Sequence, residues 1–235
     1  MLDQDAISRW YADWQHPAHA RQFDGRHEFD AVNLVRNYEV LNDVRLLNER
    51  LDPSRPMTFL EIGCATGEFY RYLSMKHPHL EYYGADISHM AIDRAQAKYP
   101  QARFLVSSPG TDLQARLARH GLPGKAEVVY SKDVLHHQTD PLGFLTELLG
   151  CASEAVIVRT RTRDVGPTVS DPEQSCQYHY DGWMPYIVIN LQELIGHIQR
   201  QAPGCEVVVR RHHVILGGRE NRFLPRDCYL PQTGT

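Results

Sequence analysis

The chain has 235 residues, 42% of them hydrophobic, with 16 glycines and 14 prolines, which fits one α/β domain with room for a cap or an insertion. Its 25 basic and 29 acidic residues leave a formal charge of −4, against the basic surplus that general nucleic-acid binders carry. Five cysteines with no C-x-x-C pair argue against a disulfide framework or a zinc knuckle, and the acidic start (Asp3, Asp5) carries no apolar leader. No stretch reaches the roughly 18–20 apolar residues of a membrane span, so the expectation is a reduced, cytoplasmic protein without membrane segments.

Residues 1 to about 50 read as helical. Ile7, Trp10, Tyr11 and Trp14 recur at helical spacing, and Pro17 is expected to end that helix. From Phe29 to Leu47 the apolar positions suggest one longer amphipathic helix. This N-terminal cap is expected to pack on a sheet edge and partly lid a site. Two readings of Trp10, Tyr11, Trp14 and Tyr38 stand open, core packing or the lining of a substrate pocket. Pro53 to Pro56 then turns the chain into a first strand.

That strand ends in Phe59-Leu60-Glu61-Ile62-Gly63-Cys64-Ala65-Thr66-Gly67-Glu68. An apolar run closes on a carboxylate, breaks into a glycine-bracketed turn and resumes at helical spacing with Phe69, Tyr70 and Leu73. Strand, tight loop and helix start bring backbone N–H groups close to a ligand at the carboxyl end of a sheet. The turn reads G-x-A-x-G, with Ala65 where a middle glycine would sit, and alanine does not take a positive φ cheaply. No G-K-[S/T] follows, which excludes a P-loop. Glu61 to Gly67 resembles the first motif of class I S-adenosylmethionine-dependent methyltransferases. The resemblance implies that Gly63, Cys64, Ala65, Thr66 and Gly67 pass under the amino-acid end of the cofactor, and that Glu61 helps hold it through the loop or the ammonium.

A helix from about Glu68 to His77 stops at Pro78, and Leu80 to Ala85 forms a second strand that closes on Asp86. This carboxylate lies 23 positions beyond Gly63, close to the spacing of about 20 residues at which a ribose-binding carboxylate follows a glycine loop. Tyr82-Tyr83-Gly84-Ala85-Asp86-Ile87-Ser88 resembles the family's second motif, which makes Asp86 the acceptor for the ribose diol and packs Ile87 on the adenine. Ser88 suits the N-cap of the next helix. Ala102 to Val106 reads as a third strand. Ser107 stands where many relatives carry an acidic residue for the adenine amino group, and is kept as the adenine contact.

The fourth strand begins at Glu127–Tyr130 and runs into Ser131-Lys132-Asp133-Val134-Leu135-His136-His137-Gln138-Thr139-Asp140-Pro141. The segment resembles the one after strand four in small-molecule methyltransferases, which places Ser131 and Lys132 with the cofactor. Asp140 and Pro141 suit the cap and first turn of a helix. Ala155 to Arg159 is the fifth strand. Residues 160–189 follow without periodicity, and Tyr178, Tyr180, Trp183 and Tyr186 mark them as a substrate lid or an aromatic-stapled loop. Asn190 to Gln201 is a helix, Glu206 to Leu216 a sixth strand and Arg226 to Leu230 a seventh.

The resemblance implies an α/β, Rossmann-like doubly wound sheet of seven strands in the order 3-2-1-4-5-7-6. N-terminal helices would span residues 1–50 and the methyltransferase domain 51–235, with a substrate-lid insertion at about 160–189. It further implies methyl transfer from S-adenosylmethionine to a small-molecule or glycan acceptor; the charge balance and the lack of a long apolar stretch set the expectation of no nucleic-acid or membrane partner. A hydroxyl acceptor must lose its proton, which favours histidine as base. His136 and His137 are the candidates, with His136 put first, Asp164 offered as orienter, and packing or capping as the alternative. Asp133, Asp140 and Asp164 lack ligand spacing, and Cys176 with His179 is a fragment, so no metal is assigned. Rival readings are an RNA or protein methyltransferase and a cofactor-binding protein that has lost catalysis.

Overall fold

The computed structural model describes residues 11–24, 30–107, 112–119, 121, 124–179, 182–211 and 222–223. The chain divides into two compact units, one of Trp14–Lys132 with Glu147–Val158, the other of Met1–Asp13, Asp133–Thr146 and Arg159–Thr235.

The first unit is built on a parallel sheet. Its strands are β1 (Met57–Ile62), β2 (Leu80–Asp86), β3 (Arg103–Val106), β4 (Ala126–Lys132) and β5 (Ala152–Arg159), in the order β3-β2-β1-β4-β5. β1 is central, pairing in parallel with β2 and β4, so that Phe59 lies opposite Tyr82 and Val128, and Glu61 opposite Gly84 and Tyr130. It is buried almost throughout, as the apolar run requires of a strand covered on both faces. The core is aromatic: Phe69 stacks on Tyr72 and Tyr130 with centroids 5.5 and 4.7 Å apart, and Phe59 stacks on Tyr82 at 6.0 Å.

Helices flank the sheet: α1 (Pro17–Asp24), α2 (Ala31–Glu39), α3 (Asn42–Arg50), α4 (Glu68–Lys76), α5 (His89–Lys98), α6 (Leu113–Arg119) and α7 (Pro141–Gly150). The helical turns at 11–15 stop before Pro17, as expected, and Pro17 opens α1, since a first-turn proline loses no helical hydrogen bond. One N-terminal expectation is corrected. The expected long helix is two, α2 and α3. Leu41 is extended at the break (φ −80°, ψ 133°), and the break lets Asp43 accept a 2.6 Å hydrogen bond from the Tyr130 hydroxyl on β4. Leu34, Tyr38, Val44 and Leu47 enter the sheet's core, so for Tyr38 the packing reading holds. The expected caps form: Ser88 accepts from Ala91 N–H before α5, and Asp140 from Gly143 N–H before α7.

The second unit holds a two-stranded parallel sheet of β6 (Thr162–Arg163) with β9 (Ile189–Asn190), and an antiparallel sheet in the order β10-β7-β8, formed by β7 (Cys176–His179), β8 (Gly182–Pro185) and β10 (Arg222–Phe223). Asn190 caps α8 (Leu191–Gln201) by accepting from the Gln192 and Glu193 amides. The residues expected to lack periodicity thus contain a hairpin. The described part of the expected sixth strand, 206–211, is largely exposed and pairs with no strand among the described residues. Its remainder and the expected seventh strand at Arg226–Leu230 lie outside the described residues.

Candidate active site

In the first unit the candidate cofactor residues gather at the carboxyl ends of β1 and β2. The turn after β1 uses three left-handed residues, Gly63 (φ 86°), Ala65 (φ 47°) and Gly67 (φ 78°). Ala65 therefore adopts the conformation that costs a residue with a β-carbon about 1–2 kcal/mol. What holds it is Asp86, whose Oδ2 accepts the Ala65 amide at 2.8 Å. Gly63 and Cys64 amides both donate to Ala85 O, and the Gly67 amide donates to Cys64 O. The turn thus spends these amides on its own shape, and offers a ligand close approach more than N–H donors.

Asp86 is 6% exposed. Its other oxygen, Oδ1, accepts the Ser88 amide at 2.8 Å. A carboxylate has about four lone-pair sites, so each oxygen keeps one for a further donor, which is the chemistry a vicinal diol demands. These residues fit the nucleoside of S-adenosylmethionine. Ser107, half-buried, donates its amide to Asp86 O at 2.7 Å, which keeps it beside the same carboxyl end. The Ile87 carbonyl accepts from Gln15 Nε2 at 2.6 Å.

Glu61 is buried and accepts a 2.5 Å hydrogen bond from the Tyr82 hydroxyl. Burial pushes its carboxyl up to about 8; the Tyr82 bond and the Lys132 charge pull it down, and Asp86 and Glu68 push it up. Gly84 makes the Tyr82 contact possible. A β-carbon there would lie 2.7 Å from Phe104 Cδ1, 2.9 Å from the Tyr82 hydroxyl and 3.0 Å from Cys64 Sγ. Burial also raises the Cys64 thiol well above its usual range, which makes it an inert packing group. Thr66 is fully buried. Ser131 ties β4 to β1 by donating to Ile62 O at 3.0 Å, and Lys132 lies over the Tyr38 ring, its ammonium 5.4 Å from the centroid.

The second unit carries the candidate base and acceptor residues. His136 and His137 form a 3₁₀ turn, Leu135–His137, and both are buried. Their rings lie 4.3 Å apart, and the Tyr186 ring meets them edge-on at 4.9 and 5.5 Å. His137 Nδ1 is 2.8 Å from Pro185 O. A carbonyl only accepts, so Nδ1 carries the proton and Nε2 is the basic nitrogen of the neutral ring. His136 Nδ1 lies 3.4 Å from the Thr160 hydroxyl, a contact too long to fix a tautomer. The Tyr186 hydroxyl accepts from Arg161 Nε at 3.1 Å. Asp164 does not orient either imidazole, because its carboxylate pairs with Arg211 at 2.9 Å on the surface.

The four aromatic residues assigned to the acceptor separate. Tyr186 is 3% exposed and belongs to the histidine cluster, whereas Tyr178 (37%) and Trp183 (40%) face each other across the hairpin on an exposed surface. Tyr180 lies outside the described residues. Among the described residues no group of three or more histidine, cysteine or acidic side chains could hold a metal, and no helix is long and apolar enough to cross a membrane.

A family model for the methyltransferase domain matches residues 60–154. This segment is similar to the methyltransferase domain that the model describes. Its sheet order is that of the class I fold, and the family's cofactor is S-adenosylmethionine. The plantazolicin methyltransferase BamL, crystallised with a triazolic desmethylPZN analogue and SAH, is 15% identical over 85% of this chain and 76% of its own, with a TM-score of 0.50. A SAM-dependent methyltransferase from Aquifex aeolicus is 18% identical over 74% of this chain and 89% of its own, at a TM-score of 0.43. The CurJ carbon methyltransferase is 23% identical over 57% of this chain, at a TM-score of 0.41, and this chain spans 40% of it. No curated protein matches the chain.

Sequence reasoning missed three polar residues of these clusters: Gln15 in the 3₁₀ turn Asp13–Gln15, His19 on α1, and Thr160 after β5. The aromatic stripe drew the reading there to Trp10, Tyr11 and Trp14, and nothing local signals that Gln15 meets residue 87.

Proposed function

We propose that this chain transfers a methyl group from S-adenosylmethionine to a hydroxyl of a small-molecule or glycan acceptor. The observation that carries the donor half is the buried Asp86 carboxylate closing β2, aligned by the Ala65 and Ser88 amides. In this reading Asp86 accepts from the ribose diol, Ile87 and Ser107 border the adenine, and the 63–67 turn lies against the amino-acid end with Glu61. Ser131 and Lys132 support the strand ends around it. What the cofactor supplies, when bound, is a methyl group already activated by a sulfonium. The protein then has to align the acceptor and remove its proton.

The histidine pair takes the proton. Of the two, His137 is the better prepared, because its Pro185 contact fixes the tautomer with Nε2 basic. His136 and Tyr186 wall the imidazole, and Arg161 holds the Tyr186 hydroxyl. The four described cysteines are free thiols, which suits a cytoplasmic enzyme.

Calorimetry with S-adenosylhomocysteine (SAH) tests the donor half. The wild-type protein is expected to bind, and Asp86→Ala to weaken binding at least tenfold, since hydrogen bonds to a charged partner are each worth about 1.5–3 kcal/mol. Equal binding by the two proteins would refute it. SAH binding without turnover on any hydroxyl compound would favour a cofactor-binding protein that has lost catalysis.

A further inference from the structure

The first unit holds a second polar side chain at the Asp86 carboxylate. We propose that His19, on α1, is a donor-binding residue: its Nε2–H gives a hydrogen bond to the same ribose hydroxyl that donates to Asp86. The proposal rests on the reading of Asp86 as the ribose carboxylate.

His19 is 4% exposed, and its Nε2 lies 4.0 Å from Asp86 Oδ1. That gap is too long for a direct hydrogen bond. It is the span that one hydroxyl oxygen bridges with two bonds of about 2.8 Å meeting at roughly 90°. The chemistry is complementary. A hydroxyl is one donor and two acceptor lone pairs, and a carboxylate satisfies only the donor. In a buried pocket the lone pairs need an N–H, which the imidazole supplies.

Two sets of contacts hold His19 there. Trp14 and Phe23 meet its ring edge-on, with centroids 5.1 and 5.2 Å away. Gln15 fastens the segment to the residues just after Asp86: its Nε2 donates to Ile87 O at 2.6 Å, and its Oε1 accepts from His89 Nδ1 at 2.7 Å. The segment leading into α1 is thus anchored to the β2–α5 corner just after the carboxylate. The ligand class this selects is a ribonucleoside with its diol intact.

The experiment is calorimetry of wild-type and His19→Phe protein with SAH and with its 2′-deoxy and 3′-deoxy forms. Phenylalanine keeps the packing with Trp14 and Phe23 and removes the donor. His19→Phe is expected to raise the SAH Kd about 5–30-fold. One deoxy form is expected to bind both proteins within about twofold, because the bond is already missing from that ligand. His19→Gln keeps an N–H donor and is expected to recover SAH binding to within about threefold of wild type. The proposal is overturned if His19→Phe binds SAH as wild type does, or if it loses the same factor for SAH and for both deoxy forms, as a merely structural role would dictate. Should the Phe variant fail to fold, His19→Ala carries the same comparison. A wild-type protein that does not bind SAH overturns the donor reading itself, whereas wild-type binding with either of the two adverse results overturns the role of His19 alone.

Discussion

Replacing Glu61 by Gln isolates the most perturbed carboxyl of the candidate site. The side chain is buried and its pKa is pushed from 4.5 up to about 8, chiefly by desolvation. A raised carboxyl binds a proton in the folded state where the unfolded chain has released it. Its contribution to stability is therefore fully present below pH 4.5 and is lost as pH rises through 8. The slope inside that window approaches 1.4 kcal/mol per pH unit, so from pH 5.5 to 7.5 the cofactor-free protein loses on the order of 2–3 kcal/mol through this one group. Glutamine keeps the shape and still accepts from the Tyr82 hydroxyl, but it does not titrate. Urea unfolding of both proteins at pH 5.5, 6.5 and 7.5, without cofactor, is expected to show their difference in unfolding free energy drifting by that amount in favour of Gln as pH rises. Parallel pH dependences, agreeing within about 0.5 kcal/mol, would refute the assignment of a protonated Glu61.

Four further outcomes follow from the same geometry. Gly84→Ala puts a β-carbon against Phe104, Tyr82 and Cys64 and is expected to cost about 1–3 kcal/mol in urea unfolding; unchanged stability would mean that the space exists after all. Ala65→Gly relieves the left-handed strain and is expected to stabilise by about 0.5–1 kcal/mol, after the extra freedom of the unfolded glycine is subtracted; a destabilised variant would show that the strain is absent. In ¹⁵N-resolved NMR, His137 is expected as the Nδ1–H tautomer donating to Pro185 O, and an Nε2–H tautomer would remove its preparation as a base. With an acceptor in hand, His137→Gln is expected to lower turnover about 10²–10⁴-fold while the SAH Kd stays within about twofold.

Strands that end on a carboxylate were legible because the pattern is local. Phe59–Glu61 and Tyr82–Asp86 are continuous buried runs, and the distance between their acidic ends is fixed by one helix and one turn. The caps at Ser88 and Asp140 are likewise decided within three residues. What escaped is decided by distant partners. The break at Leu41 answers to Tyr130, 87 residues from Asp43, and no helical period encodes it. Gln15 finds Ile87 across 72 residues. Tyr178, Trp183 and Tyr186 look alike in sequence, but the register of the β7–β8 hairpin turns two of them outward and leaves the third beside the histidines. The alternation of residues 206–211 promises a strand, but no described strand pairs with it, and strands need neighbours that a single segment does not specify.

The bond between Asp43 and Tyr130 bears on how this protein can be dissected. The segment that the family model picks out, 60–154, contains Phe69 and Tyr72, whose rings are covered in part by Tyr38 from α2, and Tyr130 of the same core. A fragment cut to those limits would bare an aromatic face and strand a buried phenol without its acceptor. The smallest piece able to stand alone therefore starts well upstream of the recognisable signature, and expression trials for binding work should keep residues 30–50 in every truncation.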